Sequence, residues 1–499
     1  MANPIKQLAG ETAIYGLSTI LARIINFLFV PIYTRMLTTE SYGVVTEFLA
    51  YIAVLQVVLT LGLETGCFRF ANKKDSDPQK VYPNALLTVF GLNAAFLACL
   101  IAFAGPIAGA LGYAGYEAVI MYVGGILFCD NVTAILFAKL RQEHKALKFA
   151  IIKTTKILTE TGANLLLFFW FPGYCLRHPG NALTGLISPT PDFSYVIFAI
   201  LVSCVLCLVL FVPDLLRLSW KVDGKLLRKM LLYSLPLMVA ALPGIVNDFL
   251  DRILFRFFDT NAEAWRSSLG IFQAAVKLSV IMNLFIQMFR YAAEPFFFQR
   301  AADRNSKKLY AIVLEFFTAF CGLIFLGVIL YIDVLSIILG RDFRSGIGVV
   351  PIMLLSYMLL GMLFNVSMWY KLSEKTNMAI WITLAGLIVT AVINVVFMPK
   401  FSYWAAAFGH LASYLVMFVI SASLGQKYYP IPYRWGRILL FFVLMGVFYG
   451  IAYGLGAWLW PAPGIHWAQI GVNTVLILLY CGLCYLLLRP EYRKIGTLA

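Results

Sequence analysis

The sequence predicts an all-α integral membrane protein. We expect about fourteen transmembrane helices, arranged as two pseudo-symmetric six-helix lobes plus a terminal helix pair, with both termini cytoplasmic. The chain of 499 residues is 61% hydrophobic and only 13% charged, whereas a soluble domain carries roughly 25% charged residues. Its apolar runs are continuous and long enough for spanning helices, which need about 20 residues, whereas strands of a membrane barrel are about ten residues long and alternate. The predicted spans are 11–34, 42–65, 83–104, 117–138, 149–171, 193–214, 229–257, 269–292, 309–331, 347–370, 377–399, 402–424, 434–459 and 466–488.

The distribution of positive charge predicts the orientation of these helices. Of the 39 lysines and arginines, seven lie well inside predicted spans and six in predicted outside loops. The others fall on the cytoplasmic side, including Lys229, Arg434 and Arg437 at the cytoplasmic ends of spans. This asymmetry follows the positive-inside rule and places both termini in the cytoplasm. The net charge of +15 therefore reflects topology and contact with anionic membrane lipids, and we expect no nucleic-acid partner.

A basic loop near 214–229 is the best candidate for a junction between two halves. A faint repeat agrees with it, because the first helix begins Tyr15-Gly-Leu-Ser18 and the seventh begins Tyr233-Ser-Leu-Pro236. Transporters commonly obtain alternating access from two repeats that rock around a shared site. The predicted division is an N-terminal lobe at 1–216, a C-terminal lobe at 217–426 and terminal helices at 427–499.

Basic residues inside the predicted spans are the most informative feature of the sequence. A cation near the bilayer centre costs about 3 kcal/mol or more, so it usually faces the protein interior or a water-filled cavity. Several such cations together predict a cationic chamber. A chamber of this kind suits an anionic cargo, which indicates a transporter. The seven residues are Arg23, Lys153, Lys156, Arg252, Arg256, Lys277 and Arg290.

The fifth predicted helix carries a polar stripe. Lys153, Lys156, Glu160 and Asn164 are spaced i, i+3, i+7 and i+11, which puts them on one face of a helix. We expect this face to line a cavity and Glu160 to pair with Lys156 four residues away. The alternative is a structural ion pair with Lys153 reaching back to the cytoplasmic surface.

Arg23 lies at the centre of the first predicted helix, with Asn26 on the same face. An arginine offers a planar and permanently charged fork that suits phosphate oxygens. We therefore predict that Arg23 binds an anionic substrate, with Asn26 as a supporting polar group. An internal salt bridge between two helices is the alternative.

The seventh predicted helix combines charges with helix breakers. Arg252 is a candidate for the cationic cavity, although a salt bridge to the acid four residues earlier competes with that role. Proline removes a backbone hydrogen bond and often kinks a membrane helix, so we predict a hinge, with a static kink as the alternative. The supporting polar residues are Asn247, Asp248 and Asp251, and the hinge residues are Pro236, Pro243 and Gly244.

The eighth predicted helix and the embedded acids complete the candidate site. Lys277 is deep enough to face a cavity. Arg290 lies near the cytoplasmic end, so it either lines the cavity or anchors the helix at the membrane interface. Glu47 and two further acids, Asp130 and Glu315, either neutralise these cations or carry a coupling cation, which could be sodium or a proton.

The motifs of catalysis are missing from the sequence. Its four histidines are dispersed, and neither an HExxH motif nor a GxxxxGK[ST] loop occurs. Two CxxC pairs, Cys204/Cys207 and Cys481/Cys484, lie in unbroken apolar helix and are interpreted as packing residues. We therefore predict no enzyme, no cofactor and no metal site.

Three segments are similar to one transporter family. The stretch from Arg23 to Gly43 resembles the first hairpin of the polysaccharide transporter family, which contains O-antigen and other lipid-linked oligosaccharide flippases. The segment from Phe289 to Phe298 resembles the end of that family's eighth helix, and Asp251-Arg252 resembles a pair in its seventh. The family belongs to the multidrug/oligosaccharidyl-lipid/polysaccharide exporter superfamily.

The resemblance implies a V-shaped pair of six-helix lobes around a central cavity, in a bacterial cytoplasmic (inner) membrane. It also implies that undecaprenyl-diphosphate-linked repeat units cross from the inner to the outer leaflet for surface polysaccharide, such as the O-antigen of lipopolysaccharide. The implied partners are membrane lipids, the polyprenyl-diphosphate-linked glycan, and a glycan polymerase or glycosyltransferases.

Three alternatives stay open. A multidrug antiporter of the same superfamily would favour a cavity dominated by acids, and here embedded cations only slightly outnumber embedded acids. A lipid II flippase is a second alternative, but Gln56 stands midway along the second helix, where no arginine occurs. A non-transporting scaffold in a glycan-assembly complex would have its embedded charges mutually paired.

Overall fold

The chain was analysed as a computed structural model, which describes residues 16, 20–72, 77–178, 187–218, 220–261, 263–300, 305–460 and 464–498. Within these ranges the secondary structure is helical and contains no strand. The first helices are α1 (20–28), α2 (Val30–Met36), α3 (Thr39–Leu59), α4 (Leu63–Ala71), α5 (Pro78–Ala102), α6 (Ala104–Ala110), α7 (Glu117–Gln142), α8 (Ala146–Leu165), α9 (Phe171–Arg177), α10 (Phe193–Leu216) and α11 (Gly224–Phe258).

The later helices include several short ones. They are α12 (Trp265–Leu278), α13 (Val280–Gln299), α14 (Ser306–Ile329), α15 (Ile332–Leu335), α16 (Val350–Val366), α17 (Met368–Leu372), α18 (Met378–Phe401), α19 (Tyr403–Tyr428), α20 (Trp435–Leu459) and α21 (Trp467–Leu498). A π-helical turn, Leu166–Trp170, joins α8 to α9, and 3₁₀ segments at Ser336–Ile338 and Arg341–Val349 precede α16.

The prediction of a multi-pass membrane protein is confirmed. Among the described residues, eleven helices are long and apolar enough to cross a membrane, or up to twelve if α12 and α13, which meet at a 52° bend, form one span. The first predicted span begins outside the described residues, and α8, which carries the polar stripe, is not among the eleven. The total of fourteen and the cytoplasmic termini stay predictions.

The chain forms two compact units. The first comprises Met1–Phe29 and Met36–Ile253, and the second comprises Val30–Arg35 and Leu254–Ala499. The predicted lobes at 1–216 and 217–426, with the terminal pair at 427–499, stay a prediction.

The first unit is built around α7, whose side chains are mostly buried and which packs against α5 and α10. The chain reverses sharply between α3 and α4, where Leu61 has a φ of 54° and Gly62 a φ of 65°. A glycine suits this left-handed conformation because it has no Cβ. Glycine is also required there by close packing, since a Cβ on Gly62 would lie 2.6 Å from the Ser234 carbonyl oxygen of α11.

The second unit contains a tight pairing of α16 with α19 and of α18 with α19. Gly361 on α16 faces the Phe317 ring, and Gly386 on α18 faces Met417 on α19, so both glycines allow close approach between helices. Segment Val30–Arg35 belongs to this unit because Thr34 Oγ1 accepts a hydrogen bond from the Gly340 N–H at 3.0 Å and Arg35 donates to the Ile337 carbonyl at 2.8 Å.

Candidate functional site

An ion pair inside the first unit is the centre of the candidate site. Lys156 Nζ on α8 lies 2.5 Å from Asp130 Oδ1 on α7, and the thiols of Cys204 and Cys207 on α10 lie close to the lysine. The side chains of Lys156 and Asp130 retain 18% and 19% exposure. The pair is therefore largely, but not completely, buried.

The partner of Lys156 differs from the predicted one. We expected Glu160 to take this role because it lies one helical turn away, but the carboxylate in direct contact is Asp130 on the neighbouring helix. Packing of α7 against α8 brings the two together, and Glu160 stays near enough for electrostatic interaction. Spacing along one helix cannot reveal a partner on another helix.

The remaining polar stripe of α8 has mixed surroundings. Lys153 Nζ lies 5.3 Å above the Phe137 ring, in a cation–π geometry. Asn164 is buried and donates from Nδ2 to the Glu160 carbonyl at 2.9 Å. Lys153, Lys156 and Glu160 are each partly buried. One face of α8 thus presents two ammonium groups and a carboxylate within a largely apolar unit.

Glu47 on α3 is fully buried in the first unit, at 0% exposure. Its Oε1 accepts a hydrogen bond from the Tyr51 hydroxyl at 2.6 Å, and its other oxygen accepts one from the Tyr113 hydroxyl. The Phe48 and Phe193 rings pack against the ring of Tyr113, which donates to this carboxylate. It connects α3 to the turn before α7, which suits a structural role as well as the predicted supporting one.

Arg23 and Asn26 are exposed on α1 in the first unit. Their predicted roles in substrate binding stay predictions.

The polar residues of α11 divide by burial. Asn247 and Asp251 are buried, whereas Asp248 is exposed. The Arg252 guanidinium lies 4.6 Å from the centre of the Phe249 ring. In the second unit, Arg256 lies over the Trp265 ring at 5.5 Å.

The predicted hinge residues lie in an unbroken helix. Pro236, Pro243 and Gly244 all fall inside α11, which runs for 35 residues. Membrane helices tolerate proline because neighbouring groups satisfy the freed carbonyls. Whether these residues act as a hinge stays a prediction.

The second unit separates the two cations of the eighth predicted span. Lys277 is partly buried at the end of α12, two residues before the bend at Ser279. Arg290 on α13 is more exposed and forms an ion pair with Glu294 at 3.8 Å. Glu294 also receives Lys371 Nζ at 2.5 Å, so Arg290 belongs to a small charge network.

A buried charge cluster in the second unit escaped the sequence analysis. Glu315 on α14 and Glu491 on α21 are both essentially inaccessible, and Arg434 reaches them at 2.5 and 2.7 Å. Arg437 on α20 contacts the same two carboxylates at 3.4 and 2.9 Å. Both arginines were predicted to be charges on the cytoplasmic side, and no local pattern connects Arg437 with acids 122 and 54 positions away. The cluster ties α14, α20 and α21 together.

Within the described ranges, no group of three or more histidine, cysteine or acidic side chains is arranged to hold a metal ion. A coupling sodium ion or proton stays a prediction.

The fold defines a class of protein, the all-helical multi-pass membrane proteins. Residues 8–301 match the model of the family described as polysaccharide biosynthesis protein. The chain belongs to that family, and the predicted family resemblance is confirmed.

Solved structures with the same fold are distant in sequence. The lipid II flippase MurJ in an inward closed conformation has a TM-score of 0.68 and 13% identity, covering 94% of this chain and 98% of the other. A MATE structure in complex with MaD3S has a TM-score of 0.57 and 13% identity, covering 88% and 97%. An outward-facing MATE family multidrug resistance transporter has a TM-score of 0.52 and 12% identity, covering 88% and 97%. No curated protein sequence matches the chain significantly.

Proposed function

We propose that this protein is a flippase that moves polyprenyl-diphosphate-linked oligosaccharide repeat units from the inner to the outer leaflet of a bacterial cytoplasmic membrane. Its family and its fold support transport of this general kind. The observation that carries the proposal is the polar face of α8, with the partly exposed pair of Lys156 and Asp130 in an apolar unit.

Phosphate chemistry explains why such a pair suits this cargo. A lysine ammonium has three donors and no acceptor, so a phosphate oxygen can replace a carboxylate oxygen as its partner. Binding the diphosphate would release Asp130, which becomes an uncompensated acid able to accept a proton or to interact with another cation. Lys153, Arg252, Lys277 and Arg290 are the further candidate cations, and Arg23 adds a fork suited to phosphate.

The cost that a flippase must lower is the transfer of a charged headgroup through hydrocarbon. Groups inside the protein replace the water that otherwise solvates the diphosphate, whereas the lipid tails stay in the bilayer. Rocking of two repeats would expose the site to one side at a time. Surface polysaccharide, including the O-antigen of lipopolysaccharide, is the proposed destination, and a polymerase or glycosyltransferases are the proposed partners.

Reconstitution with defined substrates tests the proposal. Purified protein in liposomes should flip a fluorescent undecaprenyl-diphosphate oligosaccharide, and Lys156→Gln should reduce the initial rate at least about tenfold, since each lost charged hydrogen bond contributes about 1.5–3 kcal/mol. Lys148→Gln is the matched control, because Lys148 also lies on α8 and pairs with an aspartate of α10, Asp214, at 2.6 Å. It should retain most of the rate.

Three outcomes contradict the proposal. Equal loss in both lysine variants would mean that lysine–aspartate pairs on α8 matter only for folding. Flipping of lipid II in preference to the oligosaccharide would indicate the lipid II alternative. Export of organic cations without any flipping would indicate a multidrug antiporter.

A further inference from the structure

A cavity of about 510 Å³ in the second unit lies apart from the charges discussed above. It is formed where α14 ends, where α20 ends and where α21 begins, together with the 3₁₀ segment Arg341–Val349. Its volume falls in the range of about 300–1,000 Å³ that is usual for small-molecule sites.

The cavity combines aromatic rings with polar side chains. Tyr449, Tyr453 and Trp460 supply the rings, and Asp333, Gln469 and Asn473 supply the polar groups. The rings of Tyr449 and Tyr453 lie with their centres 6.3 Å apart and their planes at 44°. They therefore present two differently oriented apolar faces.

One of the polar groups is held in place. Asn473 is buried, and its Nδ2 donates to the Leu330 carbonyl at 2.5 Å. Its side-chain oxygen can still accept a hydrogen bond. The adjacent Tyr331 and Thr474 hydroxyls lie 2.7 Å apart and fasten α21 to the end of α14 at the same level.

The chemistry of the lining disfavours the diphosphate of the proposed substrate and favours its sugar. Lysine and arginine are both missing from the described residues that line the cavity, so a diphosphate would find no counter-charge there. A sugar ring offers C–H groups that pack on an electron-rich aromatic face. Its hydroxyls both donate and accept, which matches one carboxylate and two amides.

We propose that this cavity is a binding site for a neutral saccharide. The biological role of the site rests on the proposed function. In the predicted topology, the cavity opens at the outer ends of these helices. There it would hold the sugar portion of the cargo after translocation.

A photoreactive probe without phosphate tests this site independently of transport. The probes are diacylglycerols with a glucosyl, galactosyl or mannosyl headgroup that carries a diazirine, added to protein in nanodiscs. Mass spectrometry should find the label on peptides containing Tyr453, Trp460 or Gln469.

Two glycines of α20 provide matched variants. A Cβ on Gly456 would point toward Gln469 in the cavity, 3.5 Å from its Nε2, whereas a Cβ on Gly450 would meet nothing within 4 Å. Gly456→Leu should abolish the labelling, and Gly450→Leu should leave it unchanged. Asp333→Ala should lower it about tenfold, as expected for a lost hydrogen bond to a charged group.

The outcomes separate this proposal from the proposed function. Lys156→Gln should leave labelling intact even though it slows flipping. Three results would contradict the saccharide site. The first is equal labelling of Gly456→Leu and Gly450→Leu, and the second is the failure of every sugar probe to label the cavity. The third is stronger labelling of the cavity by a phosphatidylethanolamine diazirine probe than by any sugar probe. Thermal melting of each variant in the same nanodiscs identifies any variant that has failed to fold, and the proposal is then decided by Asp333→Ala.

Discussion

Lys156 illustrates what a buried ion pair does in a membrane protein. Removing two charges from water is expensive, and their mutual attraction offsets that cost only when both partners are present. Loss of one partner therefore costs more than loss of both. The 2.5 Å contact between Lys156 and Asp130 thus stabilises the first unit only as long as the lysine has an anion beside it.

A double-mutant cycle separates the structural from the transport role of this pair. Lys156→Gln and Asp130→Asn should each lower the free energy of unfolding by up to about 3 kcal/mol, because each leaves one buried charge unpaired. The double variant should recover most of that stability, but it should not recover flipping. Thermal melting in detergent and the liposome assay provide the two measurements. Recovery of transport in the double variant would assign the pair to structure alone.

Arg23 is the residue for which we expect the cleanest separation between stability and transport. Its side chain is exposed on α1, and a role in substrate binding predicts that Arg23→Ala leaves protein level and melting temperature close to wild type. Surface glycan should nevertheless be lost in cells that depend on this protein, and Arg23→Lys should recover only part of it, because an ammonium lacks the planar fork. Undiminished glycan at normal expression contradicts the role in substrate binding.

At the scale of elements, the contact between α4 and α11 depends on the absence of side-chain atoms. A Cβ on Gly66 would collide with Ser234 Oγ of α11. Ser234 is itself buried, and within the described part of the chain its hydroxyl has no hydrogen-bond partner. The hydroxyl therefore carries a desolvation cost of about 1–3 kcal/mol with no compensating bond.

This geometry predicts a rescue. Gly66→Ala should destabilise the protein by about 1–3 kcal/mol, the usual range for overpacking. Ser234→Ala alone should be neutral or slightly stabilising, and it should restore Gly66→Ala, since the next atom, Ser234 Cβ, would lie at an ordinary 3.5 Å. Melting temperatures of the four proteins decide the matter, and simple additivity of the two changes contradicts the proposed collision.

The start of α11 is fixed by Asp223. Its Oδ1 accepts hydrogen bonds from the backbone N–H groups of Lys225 and Leu226 at 3.0 and 3.1 Å, and its own N–H donates to Asn84 Oδ1 on α5 at 3.0 Å. The bond from Leu226 is the chief cause that lowers the pKa of this carboxyl below its ordinary value. Asp223 thus caps α11 and connects it to α5.

A lowered pKa has a definite sign for stability. The contribution of Asp223 is complete above the pKa of the unfolded chain, about 4, and is lost as the pH falls through the lower folded value. Asp223→Ala should lower the melting temperature at pH 7, whereas Asp223→Asn should retain most of the cap. Between pH 6 and pH 3, the wild type should lose more stability than Asp223→Asn, and equal losses contradict the assignment.

At the scale of the whole molecule, composition and the length of apolar runs were sufficient to predict a multi-pass helical protein, because the bilayer allows few alternatives. The stripe on α8 was also accessible, since it depends on the period of a single helix. Asp130 as the partner of Lys156 was not, nor was the cluster of Glu315 and Glu491 with two arginines. Both depend on which helices pack together, and apolar spans of similar composition do not encode their neighbours in any local pattern.

Reporter fusions test the predicted topology. Alkaline phosphatase should be active when it is joined after residue 178 or 460, and inactive when it is joined after residue 144 or 223. Green fluorescent protein should give the opposite result and fluoresce when it is joined after residue 144 or 223. A fluorescent fusion after residue 499 should place the C-terminus in the cytoplasm. If the fusions after 144 and 178, or those after 178 and 223, report the same side of the membrane, the single helix predicted between them does not cross.

The hydrogen bond from Gly340 to Thr34 joins residues 306 positions apart in the chain. At roughly 5–20 residues per second of synthesis, about 15–60 s pass between the appearance of Thr34 and that of its partner on the ribosome. Segment Val30–Arg35 is synthesised early, but its hydrogen bond to Gly340 forms late. A nascent chain that stops before residue 340 therefore lacks the partner for this segment. Premature termination before residue 340 should therefore yield a product that the cell's membrane proteases degrade faster than the full chain.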